Sequence, residues 1–251
     1  MDFKTWLFLT ETQQNVVELQ VANYITQMIE NSAEILKQDL AAGRPQQMFS
    51  YYVKQVWPAE LQKGGKFLLP STFPEGVAGK YVMFKMMSGG PNEKAETHHF
   101  QDQFDGFAFN IKPFRMMKTP EEVDEYVDAL GYAVHHEAEH IYNPGTTPDD
   151  PDDDVMRGAL TYMTNKGEVR GHAREMARAY AKHFPGEDFD LQKAHGLLDK
   201  SHFTNAHRNY FRALAEPGKW QNLQQKYPDF TDNPHDVAVQ TVRSFLPQYQ
   251  Q

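Results

Sequence analysis

The segment from Thr119 to Gly145 most constrains the fold, because it carries a start signal, a stop signal and one repeat between them. Thr119-Pro120-Glu121-Glu122 predicts a helix start, with Thr119 as N-cap, Pro120 at the first helical position and Glu122 as the capping-box partner. Asn143-Pro144-Gly145 ends the run. In between, Val123, Val127, Leu130, Val134 and Ile141 recur at steps of three, four and seven, so one long helix buries one stripe. Its polar face is expected to hold Glu121, Asp124, Asp128, His135 and Glu139.

On this helix lies His136-Glu137-Ala138-Glu139-His140, an H-E-x-x-H pattern. The four-residue step puts both histidines on one face, off the apolar stripe and beside the small residues Ala129 and Ala133, which leave room for a second element to approach. Two imidazoles so placed can hold one metal ion, and Glu137 can reach the water bound there. A catalytic zinc also needs a third protein ligand and one open position.

A second helix around Gly167-Glu168-Val169-Arg170-Gly171-His172-Ala173-Arg174-Glu175 sorts into three faces. Val169, Ala173, Met176 and Tyr180 form a core stripe. Arg170, Arg174 and Arg178 form a basic stripe, read as a solvated face. Glu168, His172 and Glu175 share the third face, and each is a candidate ligand.

Val134-His135-His136-Glu137-Ala138-Glu139-His140-Ile141-Tyr142 resembles the active-site helix of the zincin metallopeptidases. Zincins usually carry uncharged residues between the Glu and the second His; here Glu139 is charged, and the helical wheel directs it to solvent with Glu121 and Asp128. The metzincin branch would place another His where this chain has Thr146, whereas the segment from Tyr162 to Glu175 resembles the later helix from which gluzincins supply a Glu ligand. The two segments cover about a tenth of the chain.

The resemblance implies zinc held by His136, His140 and Glu168, Glu137 as general base, and peptide-bond hydrolysis of a peptide or protein substrate. His172 and Glu175 would then orient ligands or substrate. Tyr162, His202, His207 and Tyr210 are candidates for stabilising the oxyanion. The rivals are a protein that keeps zinc as a brace for binding or assembly, and a metal-independent helical interaction protein with surface histidines.

The chain has 251 residues, 40% of them hydrophobic, enough to bury a sizeable core. A net charge of −9 without a Lys/Arg-rich run argues against a nucleic-acid platform. No stretch has the apolar length of a membrane span, and the start lacks the basic and apolar regions of a signal peptide, so a cytoplasmic location is expected. There is no cysteine, which leaves His and carboxylate as metal donors.

Before the metal helix, periodicity predicts helices over residues 12–42, ended by Gly43, and 46–56. Short apolar runs at 66–69, 81–84 and 107–111 predict strands, the last either the edge strand beside the metal helix, to which an extended peptide can add, or plain core. The aspartate-rich stretch 146–154 lacks EF-hand spacing and reads as a solvated linker rather than a calcium site. Beyond Val155, helices are broken at Pro185-Gly186, Pro217-Gly218 and Pro228. The expected fold is α+β and mainly helical: a small sheet before the H-E-x-x-H helix, then a helical lobe. One zincin-like catalytic domain would span 1–251, with sub-lobes 1–143 and 144–251 and the metal between them.

Overall fold

A computed structural model describes residues 3–87, 95–100, 103–142, 166–197, 225 and 234–250. The chain is α+β, with a small sheet before a helical region. It divides into two compact units, Met1–Tyr142 and Asn143–Gln251. No helix among the described residues is long and apolar enough to cross a membrane.

The first unit opens with helix α1 (Phe3–Ala41), which begins earlier than its periodicity suggests. It buries Val21, Ala22, Ile25, Ile29, Ala33 and Leu36, a stripe at steps of three and four. Gly43 stops it: with φ at 63° its amide bonds to Leu40 O while Arg44 N bonds to Asp39 O, a paired closure that satisfies carbonyls left over at the helix end. Helix α2 (Phe49–Val56) follows. Its Phe49 stacks on Phe114 at 3.9 Å, and the following Trp57 donates its indole N–H to Leu68 O while its ring packs on Phe67. Burying both the aromatic body and the donor in this way costs no lost hydrogen bond.

Five strands follow in the sheet order β1-β2-β3-β5-β4: β1 (Gln62–Lys63), β2 (Lys66–Leu68), β3 (Tyr81–Lys85), β4 (Ala95–Phe100) and β5 (Gln103–Asn110). β3 and β5 pair in parallel and the other neighbours are antiparallel. Of the two expectations for residues 107–111, edge strand or core, the structure selects the core: they lie in and just after β5, which is flanked on both sides, and β4 is the end strand among the described residues. The continuous apolar run of β5 fits that place, since Phe107, Ala108 and Phe109 are all fully buried although they alternate between the two faces.

Gly106 in β5 is opposite Tyr81 of β3, whose ring leans across it. A Cβ at 106 would lie 2.6 Å from Tyr81 Cδ2 and against the Tyr81 carbonyl as well. Backbone and ring would both have to move. Gly106→Ala is expected to destabilise the first unit by about 1–3 kcal/mol, read as a lower urea midpoint of the full chain; an unchanged midpoint would contradict this packing.

Helix α3 (Pro120–Ala138) starts as the sequence predicts. Glu122 N donates to Thr119 Oγ1 at 3.3 Å and Thr119 N to Glu122 Oε2 at 3.2 Å, the reciprocal pair of a capping box. A bond from Lys118 N, and then the one from Thr119 N, hold the Glu122 carboxyl below its ordinary range. The predicted stripe Val123, Val127, Leu130, Val134 and Ile141 is buried. α1 packs along α3 and β4 lies against it, so the helix is held by a helix and by the end of the sheet.

In the second unit, helix α4 (Lys166–His183) buries Val169, Ala173, Met176 and Tyr180. It packs on α5 (Leu191–Leu197) and on α6 (Pro234–Phe245). Tyr180 joins the turn after α4 to this core: its hydroxyl donates to Asp188 O and accepts from Asp190 N. Asp190 in turn caps α5 by accepting from Gln192 N and Lys193 N.

Candidate metal centre

Regular α-helix ends at Ala138, and the chain tightens into a 3-10 turn over Glu139–Ile141. His136 thus belongs to the last turn of α3 and His140 to the tighter turn. The four-residue step still keeps them together: ring centroids are 5.1 Å apart and the planes cross at 60°. Their donor nitrogens lie within 4.8 Å of each other. Two imidazole nitrogens sharing one zinc-sized ion would stand about 3.4 Å apart for bonds of about 2.0–2.1 Å, a spacing within reach of small ring rotations. The histidines are 7% and 6% exposed, so an ion held there would sit in a dry surrounding where each ligand bond is strong.

Glu137, between them in sequence, is only half-buried. Its Oε2 accepts from Thr97 Oγ1 of β4 at 2.7 Å, and the same hydroxyl is 3.0 Å from the Glu137 main-chain oxygen. Thr97 was invisible in the sequence, because Ala95-Glu96-Thr97-His98-His99-Phe100 has no apolar alternation to mark it as a strand.

Two expectations about the polar face of α3 fail. Glu139 is fully buried rather than solvent-directed, and His135 is 1% exposed. The helical wheel describes one helix alone, whereas α1 packs along α3 and against the turn after it, covering a face the wheel assigns to water.

In the second unit, Glu168 is the third residue of α4 and shares its face with His172 and Glu175. All three are buried, at 6%, 1% and 2% exposure, and His172 Nδ1 stands 3.5 Å from Glu175 Oε2. A face of three buried titratable groups is not an ordinary polar surface, since burying such groups is costly unless they are paired or bind metal. The basic stripe is also corrected. Arg174 is fully buried with its guanidinium 4.3 Å above the Phe245 ring, and Arg170 lies 5.2 Å from the same ring. Guanidinium on an aromatic face is a favourable, weakly hydrated arrangement, which explains how an arginine leaves water here. Tyr162, His202, His207, Tyr210 and the stretch 146–154 lie outside the described residues.

The far side of β4 is polar as well. Tyr81 Oη and His98 Nδ1 are 2.8 Å apart, His98 Nε2 is 2.8 Å from Glu96 Oε1, and Lys85 Nζ pairs with the same oxygen. Burial alone would raise the Glu96 carboxyl, but bonds from Lys85 and His98 bring it below its usual range. Burial, then the neighbouring Asp105 carboxylate, push the Tyr81 phenol up to about 12. This chain ties β3 to β4 and so fixes the strand that carries Thr97.

The buried donors of each unit are imidazole nitrogens and carboxylate oxygens, chemistry that suits a borderline metal ion, and the sequence holds no thiol. No family model, curated protein or solved structure matches the chain.

Proposed function

We propose that this chain is a zinc-dependent peptidase of gluzincin type, with His136, His140 and Glu168 as the metal ligands and Glu137 as the general base. The observation that carries the reading is the pair of adjacent, buried imidazoles flanking a half-buried carboxylate that a neighbouring strand holds. His136, His140 and Glu168 are each buried, and each offers a donor atom that suits a metal ion. Two imidazoles and a carboxylate are a donor set that would suit zinc.

Bound zinc supplies Lewis acidity, polarising a peptide carbonyl and making a water acidic near neutral pH. The chain supplies the rest. Glu137 takes the water's proton during attack and delivers it to the departing amine. β4 is the end strand among the described residues and lies against α3, a place where an extended peptide can add, which supports a peptide or protein as substrate. The acidic net charge disfavours nucleic acid as a partner.

The ligand assignment is tested by zinc titration of two variants. Glu168→Ala is expected to weaken zinc binding by far more than His172→Ala, whose loss should stay at about ten- to a hundredfold, the range for a residue that orients a ligand. Equal losses, or a larger one for His172→Ala, would overturn the choice of Glu168.

One observation favours a second reading, a zinc-braced binding or assembly protein. Glu168, His172 and Glu175 are all buried on one face of α4, enough donors to close the coordination sphere. Zinc binding with no cleavage across a broad peptide library would select it.

A further inference from the structure

We infer that Thr97 is a positioning residue for Glu137: its hydroxyl fixes the carboxylate so that one oxygen is occupied and the other is left for the reacting water. The inference rests on the peptidase reading for its catalytic consequence, but the contact belongs to the first unit alone. Side chains alternate along β4, so Glu96 and His98 take part in the polar chain on one face while Thr97 projects to the other, against α3. That polar chain pins β4 to β3 through Tyr81 and Lys85, and pairing with Phe107 of β5 sets the height of Thr97 on the sheet. A register shift between His98 and His99 directly follows it. Thr is also stiff at χ1, so its hydroxyl is aimed by the backbone rather than by chance.

The hydroxyl has one proton and faces two acceptors, the Glu137 carboxylate at 2.7 Å and the Glu137 main-chain oxygen at 3.0 Å. A carboxylate oxygen is a stronger acceptor than a main-chain carbonyl, and it takes the shorter contact. The main-chain oxygen belongs to the last turn of α3, where it also accepts from the Glu139 amide, so the second contact brings the hydroxyl against the backbone of the same residue. Thr97 thus has its single proton within reach of both ends of Glu137, with the carboxylate the nearer. With Oε2 engaged, Oε1 is the oxygen free to accept the proton, and the carboxylate does not have to be ordered during the reaction.

The test compares Thr97→Val, which keeps the branched shape without the hydroxyl, with Thr97→Ser, which keeps the hydroxyl. Full-length zinc-loaded protein is assayed on quenched fluorescent peptides, and both variants are crystallised without metal. Thr97→Val is expected to lower kcat about ten- to a hundredfold, with KM and zinc stoichiometry unchanged and the Glu137 carboxylate displaced in the crystal. Thr97→Ser should return most of the rate and the parental carboxylate position. Parental kcat in Thr97→Val, a loss confined to KM, or an undisplaced Glu137 would overturn the inference. If the parent cleaves no peptide, the peptidase reading fails by itself, and the position of Glu137 in the two crystals still decides whether Thr97 holds it.

Discussion

Glu137→Gln is expected to keep its zinc while peptide hydrolysis falls by about two to four orders of magnitude, the usual contribution of a general base. The amide preserves the size of the carboxylate and can still accept from the Thr97 hydroxyl through its oxygen, so the packing of α3 against β4 should survive. What it cannot do is take the water's proton. Metal analysis and steady-state rates on the same preparation check this pattern. A variant that cleaves as fast as the parent would remove Glu137 from the chemistry and with it the mechanism proposed.

His136→Ala and His140→Ala form the second large effect: each should abolish stoichiometric zinc binding and hydrolysis together. Each histidine is more than nine-tenths buried, so truncation removes a ligand and leaves a small void where α3 meets the following turn. A ligand that binds only the folded state stabilises it by about 2.7 kcal/mol at a hundred times its dissociation constant. Zinc should therefore raise the Tm of the parent and leave both variants unmoved. A zinc-dependent rise in either variant would show that the imidazole removed is not a ligand.

The parts of the fold that were legible in the sequence are those whose signals are local. Thr119, Pro120 and Glu122 define the start of α3 chemically, and the cap forms with the residues in those roles. Gly43 ends α1 because a left-handed residue is needed there, and the apolar runs of β3 and β5 mark themselves. β4 escaped notice because a half-exposed strand rich in Glu, Thr and His lacks the apolar alternation that reveals strands. For its neighbour β5 the sequence left edge and core open, although a run as continuously apolar as Phe107-Ala108-Phe109 suits a strand paired on both sides.

The candidate site divides along the same line. His136, Glu137 and His140 follow from helical spacing, and Glu168, His172 and Glu175 from the shared face of α4. Thr97 follows from neither, since it meets Glu137 only through the pairing of β4 with β5 and the packing of α3 on the sheet. Burial of Glu139 and Arg174 is likewise a property of what covers a helix, and no wheel drawn for that helix alone contains it.

The most direct test is the metal content of the full-length chain purified with zinc present and no chelator, then dialysed extensively and measured by mass spectrometry. The proposal of His136, His140 and Glu168 as ligands predicts one zinc per chain in the parent. Metal near zero would contradict it, and would leave two adjacent buried histidines that serve the packing of α3 and nothing more.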